Sequence, residues 1–190
     1  QERVQIDAGR LKKSAVVNQM NAYLSKTFLP PAAKEQLIER FEIPSVFINN
    51  DVVVKYELNR ETVVDSLVKF AKSMEGMKYV ASRDFAMKYK PIDWDEETWQ
   101  LVKNDLYFDR TGEVVMYPKP YWIYGGNPAT HGTMYNYDRF VPLMMFGADI
   151  NPGVSAEKVS PADIAPTLGF KFRLPFPNID GKSLDVWKHE

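Results

Sequence analysis

The sequence predicts an α/β fold, and three features carry that prediction. Residues 45–49, 60–75 and 77–81 read in turn as strand, helix and strand, the succession that builds an α/β layer. Apolar residues over 11–26 and again over 60–75 recur at three and four residues, the spacing of a helix with one buried face. A continuous apolar run at 141–146, with Pro142 near its start and Gly147 after its end, reads as a strand buried on both faces.

The elements follow in order. Leu11, Ala15, Val16, Met20, Tyr23 and Leu24 make the inner face of a first helix, which Pro30-Pro31 ends. A second helix is expected to start near Ala32, with Leu37, Ile38 and Phe41 turned inward. The segment Ser45-Val46-Phe47-Ile48-Asn49 is β-prone and closes at Asn50-Asp51. Asn59 caps the helix that buries Val63, Val64, Leu67, Phe70, Ala71 and Met74, and Gly76 stops it. A helical turn over 82–90 is followed by a helix capped by Asp93 or Asp95, carrying Trp99, Val102 and Leu106. Asp109-Arg110-Thr111-Gly112 reads as a hairpin turn between strands at 106–108 and 113–117, and 121–124 reads as a further strand. Near the end, Ser160 is placed to cap a helix, Pro161 suits its first position, and Asp163 completes a capping box. Pro166 limits that helix to a short or kinked one. A domain boundary is expected near 108–112.

Composition narrows the function. With 190 residues, 45% of them apolar and 13% aromatic, the chain has material for a real core. Its net charge is −1 and its basic residues are scattered, Lys12-Lys13 and Lys88-Tyr89-Lys90 being the densest spots. No nucleic-acid-binding surface is evident in that pattern. There is no cysteine, which excludes disulfides and thiolate metal sites. No run approaches the ~20 apolar residues of a membrane span. The opening Gln1-Glu2-Arg3-Val4 is neither a signal peptide nor an initiator methionine, so the chain reads as a piece of something longer.

The last part of the chain holds a set of short motifs: Tyr121-Trp122-Ile123-Tyr124-Gly125, His131-Gly132-Thr133 and Tyr135-Asn136-Tyr137-Asp138. Val141-Pro142-Leu143, Asp163-Ile164-Ala165-Pro166-Thr167 and Asp180-Gly181-Lys182-Ser183-Leu184 follow. In this order they resemble the C-terminal end of the alkaline phosphatase superfamily, most nearly its bacterial alkaline phosphatase and type I phosphodiesterase/nucleotide pyrophosphatase branch. The resemblance implies the C-terminal portion of an α/β/α sandwich. It makes residues 1–110 a smaller inserted α/β subdomain, and 111–190 the returning core strands, the metal-histidine loop and the final helix. It also implies two zinc ions in the whole enzyme, a threonine or serine nucleophile, phosphate ester substrates and a periplasmic or secreted location. Most zinc ligands and the nucleophile of such enzymes belong to motifs with no counterpart here. His131 matches the late zinc-binding histidine.

Taken alone, a single His-Gly is most simply a hydrogen-bonded loop histidine; the motifs around His131 favour the metal ligand instead. A catalytic zinc needs about three protein ligands, and two histidines without cysteine cannot supply an all-His site. No catalytic residue is assigned within this chain. Asp138 reads as a residue bonding backbone groups in a turn, and Asp163 as a helix cap. Thr130 and Thr133 flank His131, but no base is positioned by the sequence to activate either. Tyr135 and Tyr137 could line a cleft or simply pack. Asp93, Asp95, Glu96 and Glu97 suit a charged first helical turn, and His189 a solvent-facing position. The expected function is therefore the C-terminal part of a zinc-dependent phosphomonoesterase or phosphodiesterase, inactive by itself. Self-association through the 141–146 strand is also expected. The alternative is a stand-alone, non-catalytic α/β binding or interaction module.

Overall fold

The computed structural model describes residues 6–127, 129–176 and 178–188. His189 lies outside them. The chain forms two compact units, divided between Arg139 and Phe140.

The first unit opens with strand β1 (Gly9–Leu11), helix α1 (Lys13–Phe28), and strands β2 (Ile38–Glu42) and β3 (Ser45–Ile48). Short helix α2 (Asn50–Lys55), helix α3 (Arg60–Ser73), strand β4 (Met77–Ser82) and helices α4 (Arg83–Lys88) and α5 (Glu96–Asp105) follow. Strands β5 (Val114–Pro118) and β6 (Trp122–Tyr124) and a single helical turn, α6 (Asn136–Arg139), complete it. The main sheet has the order β2-β3-β5-β4 and β5 is antiparallel to both its neighbours. β3 and β4 are thus parallel to each other with β5 between them, the split βαβ arrangement expected when α3 crosses over one strand. β1 and β6 form a separate parallel pair.

Side-chain alternation along β5 sorts the core into two layers. Val114 and Met116 join the cluster of Met20, Leu24 and Leu67 from α1 and α3. Val115 and Tyr117 face the other way, onto Ala86, Trp94 and Val102 from α4, α5 and the loop between them. β4 does the same with Val80 and Ala81, after a register shift between Met77 and Tyr79. Helices therefore cover both faces of the sheet.

The caps are those the sequence predicts. Asn59 Oδ1 accepts from Thr62 N–H at 2.9 Å, and Asp95 Oδ1 accepts from Thr98 N–H at 2.8 Å. Gly76, at φ +80, turns the chain after α3, and a Cβ there would sit 2.3 Å from Trp122 Cε3. Both its conformation and its neighbour require glycine.

Three expectations need correction. The helix expected from Ala32 is absent, and Ile38 and Phe41 lie on β2. Their three-residue spacing imitates a helix because a β-bulge between Ile38 and Arg40 shifts the register against β3. The 106–108 segment is no strand, since both edges of β5 are taken by β3 and β4. It is held as a turn by buried Arg83, whose Nη1 donates to Phe108 O at 2.7 Å and Thr111 O at 2.8 Å. Residues 141–146 form no strand either. Val141, Met144 and Phe146 are 72%, 85% and 105% exposed. The strands expected to flank this run, at 113–117 and 121–124, are paired with β3, β4 and β1 instead.

The second unit is organised by the capping box. Ser160 Oγ accepts from Ala162 N–H and Asp163 Oδ2 accepts from Ser160 N–H, starting a 3-10 turn, Pro161–Asp163, that leads into α7 (Ile164–Phe172). Pro166 falls in the first turn of α7, where its missing N–H has no helical partner to lose. The motifs around Asp163 and Asp180 hold each other: Lys182 N–H donates to Asp163 Oδ1 at 2.9 Å, and Leu184 N–H to Thr167 Oγ1 at 2.9 Å. A Cβ on Gly181 would meet Ala162 O at 2.0 Å, so only glycine permits this approach.

The backbone N–H of Lys182 and then that of Ser160 hold the Asp163 carboxyl below its ordinary value. A carboxylate depressed in the folded state adds stability that is present above its unfolded pKa and lost as pH falls through the folded value. The second unit is therefore expected to loosen in acid below about pH 4, and Asp163→Ala to remove that pH dependence. Backbone amide exchange at Lys182 and Ser160, followed from pH 6 to 3, measures it. An unchanged acid profile in the variant would show that Asp163 carries no such linkage.

Candidate functional site

His131 lies on an exposed, irregular loop between β6 and α6. Both ends of this loop are fixed. At its start, just after β6, Gly125 N–H donates to Leu11 O at 2.9 Å. On the other side of β6, Tyr121 has φ 66, an uncommon conformation for a tyrosine. Its N–H donates to Tyr137 Oη at 2.9 Å, and the two rings stack with centroids 5.0 Å apart. Tyr135 continues the stack 5.6 Å from Tyr137, and its hydroxyl donates to Pro118 O at 2.7 Å. Burial pushes the Tyr135 hydroxyl well above its usual range, so it remains a donor in neutral solution.

At the loop's end, Asp138 Oδ2 accepts from Thr133 N–H at 2.7 Å and from Thr133 Oγ1 at 2.8 Å. Gly132, at φ +103, makes the turn between His131 and Thr133. Arg139 then ties α6 to α5 through Glu97 at 2.8 Å. Asp138 thus bonds turn groups, as the sequence suggests, and Tyr135 and Tyr137 serve as packing and as hydrogen-bond partners. The Thr133 hydroxyl is engaged with a carboxylate.

The other candidates resolve into structural roles. Asp95 caps α5, Asp93 pairs with Lys72 at 3.2 Å, Glu97 pairs with Arg139 and Glu96 accepts from Gln100 Nε2. Trp94 is buried edge-on to Tyr79, and Trp99 Nε1 donates to Ala86 O. Asp163 caps its helix. A feature without a sequence signal is the apolar cavity of about 420 Å³ in the second unit, lined by Leu143, Phe146, Ile150, Leu168 and Trp187 among others. Its walls come from three segments far apart in sequence, and no short motif announces it.

Whether these residues suit a metal follows from the donor set. His131 offers an accessible imidazole, the right chemistry for one zinc ligand. Among the described residues no group of three or more His, Cys, Asp or Glu side chains comes together as a metal site. The donors here do not fit a complete catalytic zinc site; they fit one corner of a site.

No family model matches the chain. The calcium-transporting ATPase of Myroides odoratus is 23% identical over 175 residues, covering 90% of this chain and 31% of the relative. Alkaline phosphatase PafA of Elizabethkingia meningoseptica is 24% identical over 166 residues, covering 84% of this chain and 28% of PafA. The crystal structure of wild-type alkaline phosphatase PafA superposes with a TM-score of 0.86 at 22% identity, over 98% of this chain and 35% of that one. The chain is related to the alkaline phosphatase superfamily. Its fold is part of the alkaline-phosphatase-like α/β fold. The chain spans about a third of the length of the relatives it matches. No helix among the described residues is long and apolar enough to cross a membrane.

Proposed function

We propose that this chain is the C-terminal part of a metal-dependent phosphoric ester hydrolase of the alkaline phosphatase superfamily, and that His131 is one of its zinc ligands. The observation that carries the reading is an exposed histidine on a loop pinned at both ends, in a chain that superposes on PafA over nearly its whole length. When bound, zinc would polarise a phosphoryl oxygen and stabilise the leaving group. The chain's own contribution is to present one imidazole in a fixed place, with Thr133 and Asp138 holding the turn behind it. In this reading residues 1–110 are an inserted subdomain and 111–190 return to the core. The second zinc, the nucleophile and the choice between monoester and diester come from segments beyond this sequence. Such an enzyme would work in the periplasm or outside the cell.

Two expected outcomes check this reading on the isolated chain. Hydrolysis of p-nitrophenyl phosphate and its bis ester with added zinc is expected to stay at background, because one imidazole cannot fix an open coordination site against water. Multiple turnovers abolished by His131→Ala would contradict it. The exposed apolar run around Met144 and Phe146 is expected to drive self-association, because so large an apolar surface favours contact with another chain. Size-exclusion chromatography should then show concentration-dependent oligomers that Met144→Lys/Phe146→Lys returns to monomer. A monomer at every concentration would remove that expectation.

The second reading, a binding module without catalysis, is favoured by one observation: the first unit covers both faces of its own sheet. Retention of metal binding and hydrolysis by a longer polypeptide that contains this segment decides against it.

A further inference from the structure

We propose that residues 141–146 and the apolar side of α7 form a docking surface for the rest of a longer parent polypeptide, in which 141–146 becomes a β-strand paired along both edges. The inference rests on the reading that this chain is part of a larger hydrolase of the superfamily, and not on His131 or on zinc.

The second unit is inside out. On α7 the buried positions are Thr167 and Gly169, while Ile164, Leu168, Phe170 and Phe172 are exposed. Thr167 is buried for a local reason: its hydroxyl donates to Asp163 O at 2.6 Å and accepts from Leu184 N–H, and its carbonyl accepts from Trp187 Nε1 at 3.2 Å. Ile164, Leu168 and Phe172 recur every four residues, so they share one face, and with Leu143 they line the apolar cavity. A helix that hides a threonine and shows phenylalanines turns its apolar stripe toward something its own unit does not supply.

The 141–146 run lies in no helix or strand, yet its exposure alternates. Leu143 and Met145 are the less exposed positions, and Met144 and Phe146 stand almost wholly open. That is the two-residue period of a strand with one face against a layer. Pro142 has no N–H and suits only the start of a strand, which places the paired part at 143–146. The end of the run is fixed. Lys188 N–H donates to Asp149 O and Asn151 N–H to Val186 O, both at 2.9 Å, and Lys171 of α7 pairs with Asp149 at 3.0 Å. No charged residue occurs from Val141 to Ala148. A continuous apolar segment of this kind is the mark of a strand inside a parallel sheet, covered on both faces.

A second copy of this chain meets that surface only in part. A two-fold contact pairs one edge of the run with itself and leaves the other edge and one face open. Length favours the parent polypeptide. The superposition on PafA takes in 98% of this chain and 35% of PafA, so the second unit has the backbone of a segment lying within a much longer chain.

The test is hydrogen exchange read by mass spectrometry, on the dilute 190-residue chain and on a longer polypeptide that contains it. In the longer polypeptide the amides of 143–146 are expected to exchange at least about 100-fold more slowly than in the 190-residue chain, as for a segment moved from the surface into a core sheet. Those of β5 should change little, since β5 is already paired on both edges. In the longer polypeptide Met144→Leu, which nearly conserves volume, should keep the protection, and Met144→Lys should lose about tenfold of it or more. If the lysine variant fails to fold, the comparison of the two unaltered proteins still decides. Equal exchange of 143–146 in both would overturn the inference. So would protection that appears in the 190-residue chain on raising its concentration and matches the longer polypeptide, since a second copy would then be the occupant. A longer polypeptide that protects 143–146 without binding zinc or hydrolysing phosphate esters would support this inference and contradict the proposed function.

Discussion

Replacing Leu67 with alanine is expected to destabilise the first unit by about 2–5 kcal/mol, the range for truncating a fully buried leucine. Leu67 is 0% exposed and sits on α3 between Val63, Val64 and Ala71, facing the layer that also holds Met20, Leu24, Val80 and Met116. The cost has two parts, the transfer free energy of the deleted methyl groups and the cavity they leave. That cavity cannot close easily. α3 packs on α1 and on β4, and the β4–β5 ladder behind it is paired on both sides of β5. Urea denaturation followed by tryptophan fluorescence measures the effect, since Trp94 and Trp122 both lie in this unit. A midpoint that does not move would place Leu67 outside the core and undo the layer assignment.

α3 was legible because each local signal points the same way: Asn59 at the cap, apolar residues at three and four, and Gly76 at the stop. The same holds for Asp95 and α5, and for the box of Ser160 and Asp163. These are local chemistries, decided within a few residues. What the sequence misstates is set by pairing at a distance. Ile38 and Phe41 share a face because of a bulge against β3, which a periodicity reading takes for a helix. Residues 106–108 and 141–146 carry strand-like composition, yet a strand requires an edge to join. β5 has its two edges filled by β3 and β4 and β6 pairs with β1, so the strands expected to flank these segments are paired elsewhere.

The site divides along the same line. His131, Asp138 and the three tyrosines were visible as residues, and the bond from Thr133 to Asp138 is the local turn bonding that an aspartate there suggests. Other contacts were not legible. Tyr121 N–H to Tyr137 Oη and Arg139 to Glu97 join positions far apart along the chain, and no spacing rule points to them. The donors that would complete a zinc site around His131 are not gathered among the described residues, so the chain's sequence could not name them.

The central claim is that His131 holds metal in a phosphate ester hydrolase to which this segment belongs. It is tested most directly by zinc content and phosphatase activity measured together. The comparison uses a longer polypeptide containing this segment and its His131→Ala variant. Removing a direct ligand is expected to lose one zinc per molecule and to lower kcat/KM for p-nitrophenyl phosphate by more than about 100-fold, beyond the cost of losing an outer-shell partner. Circular dichroism should not change, because the His131 side chain is exposed and lies outside both core clusters. Elemental analysis showing the same zinc content in both proteins, with activity retained in the variant, would contradict the assignment.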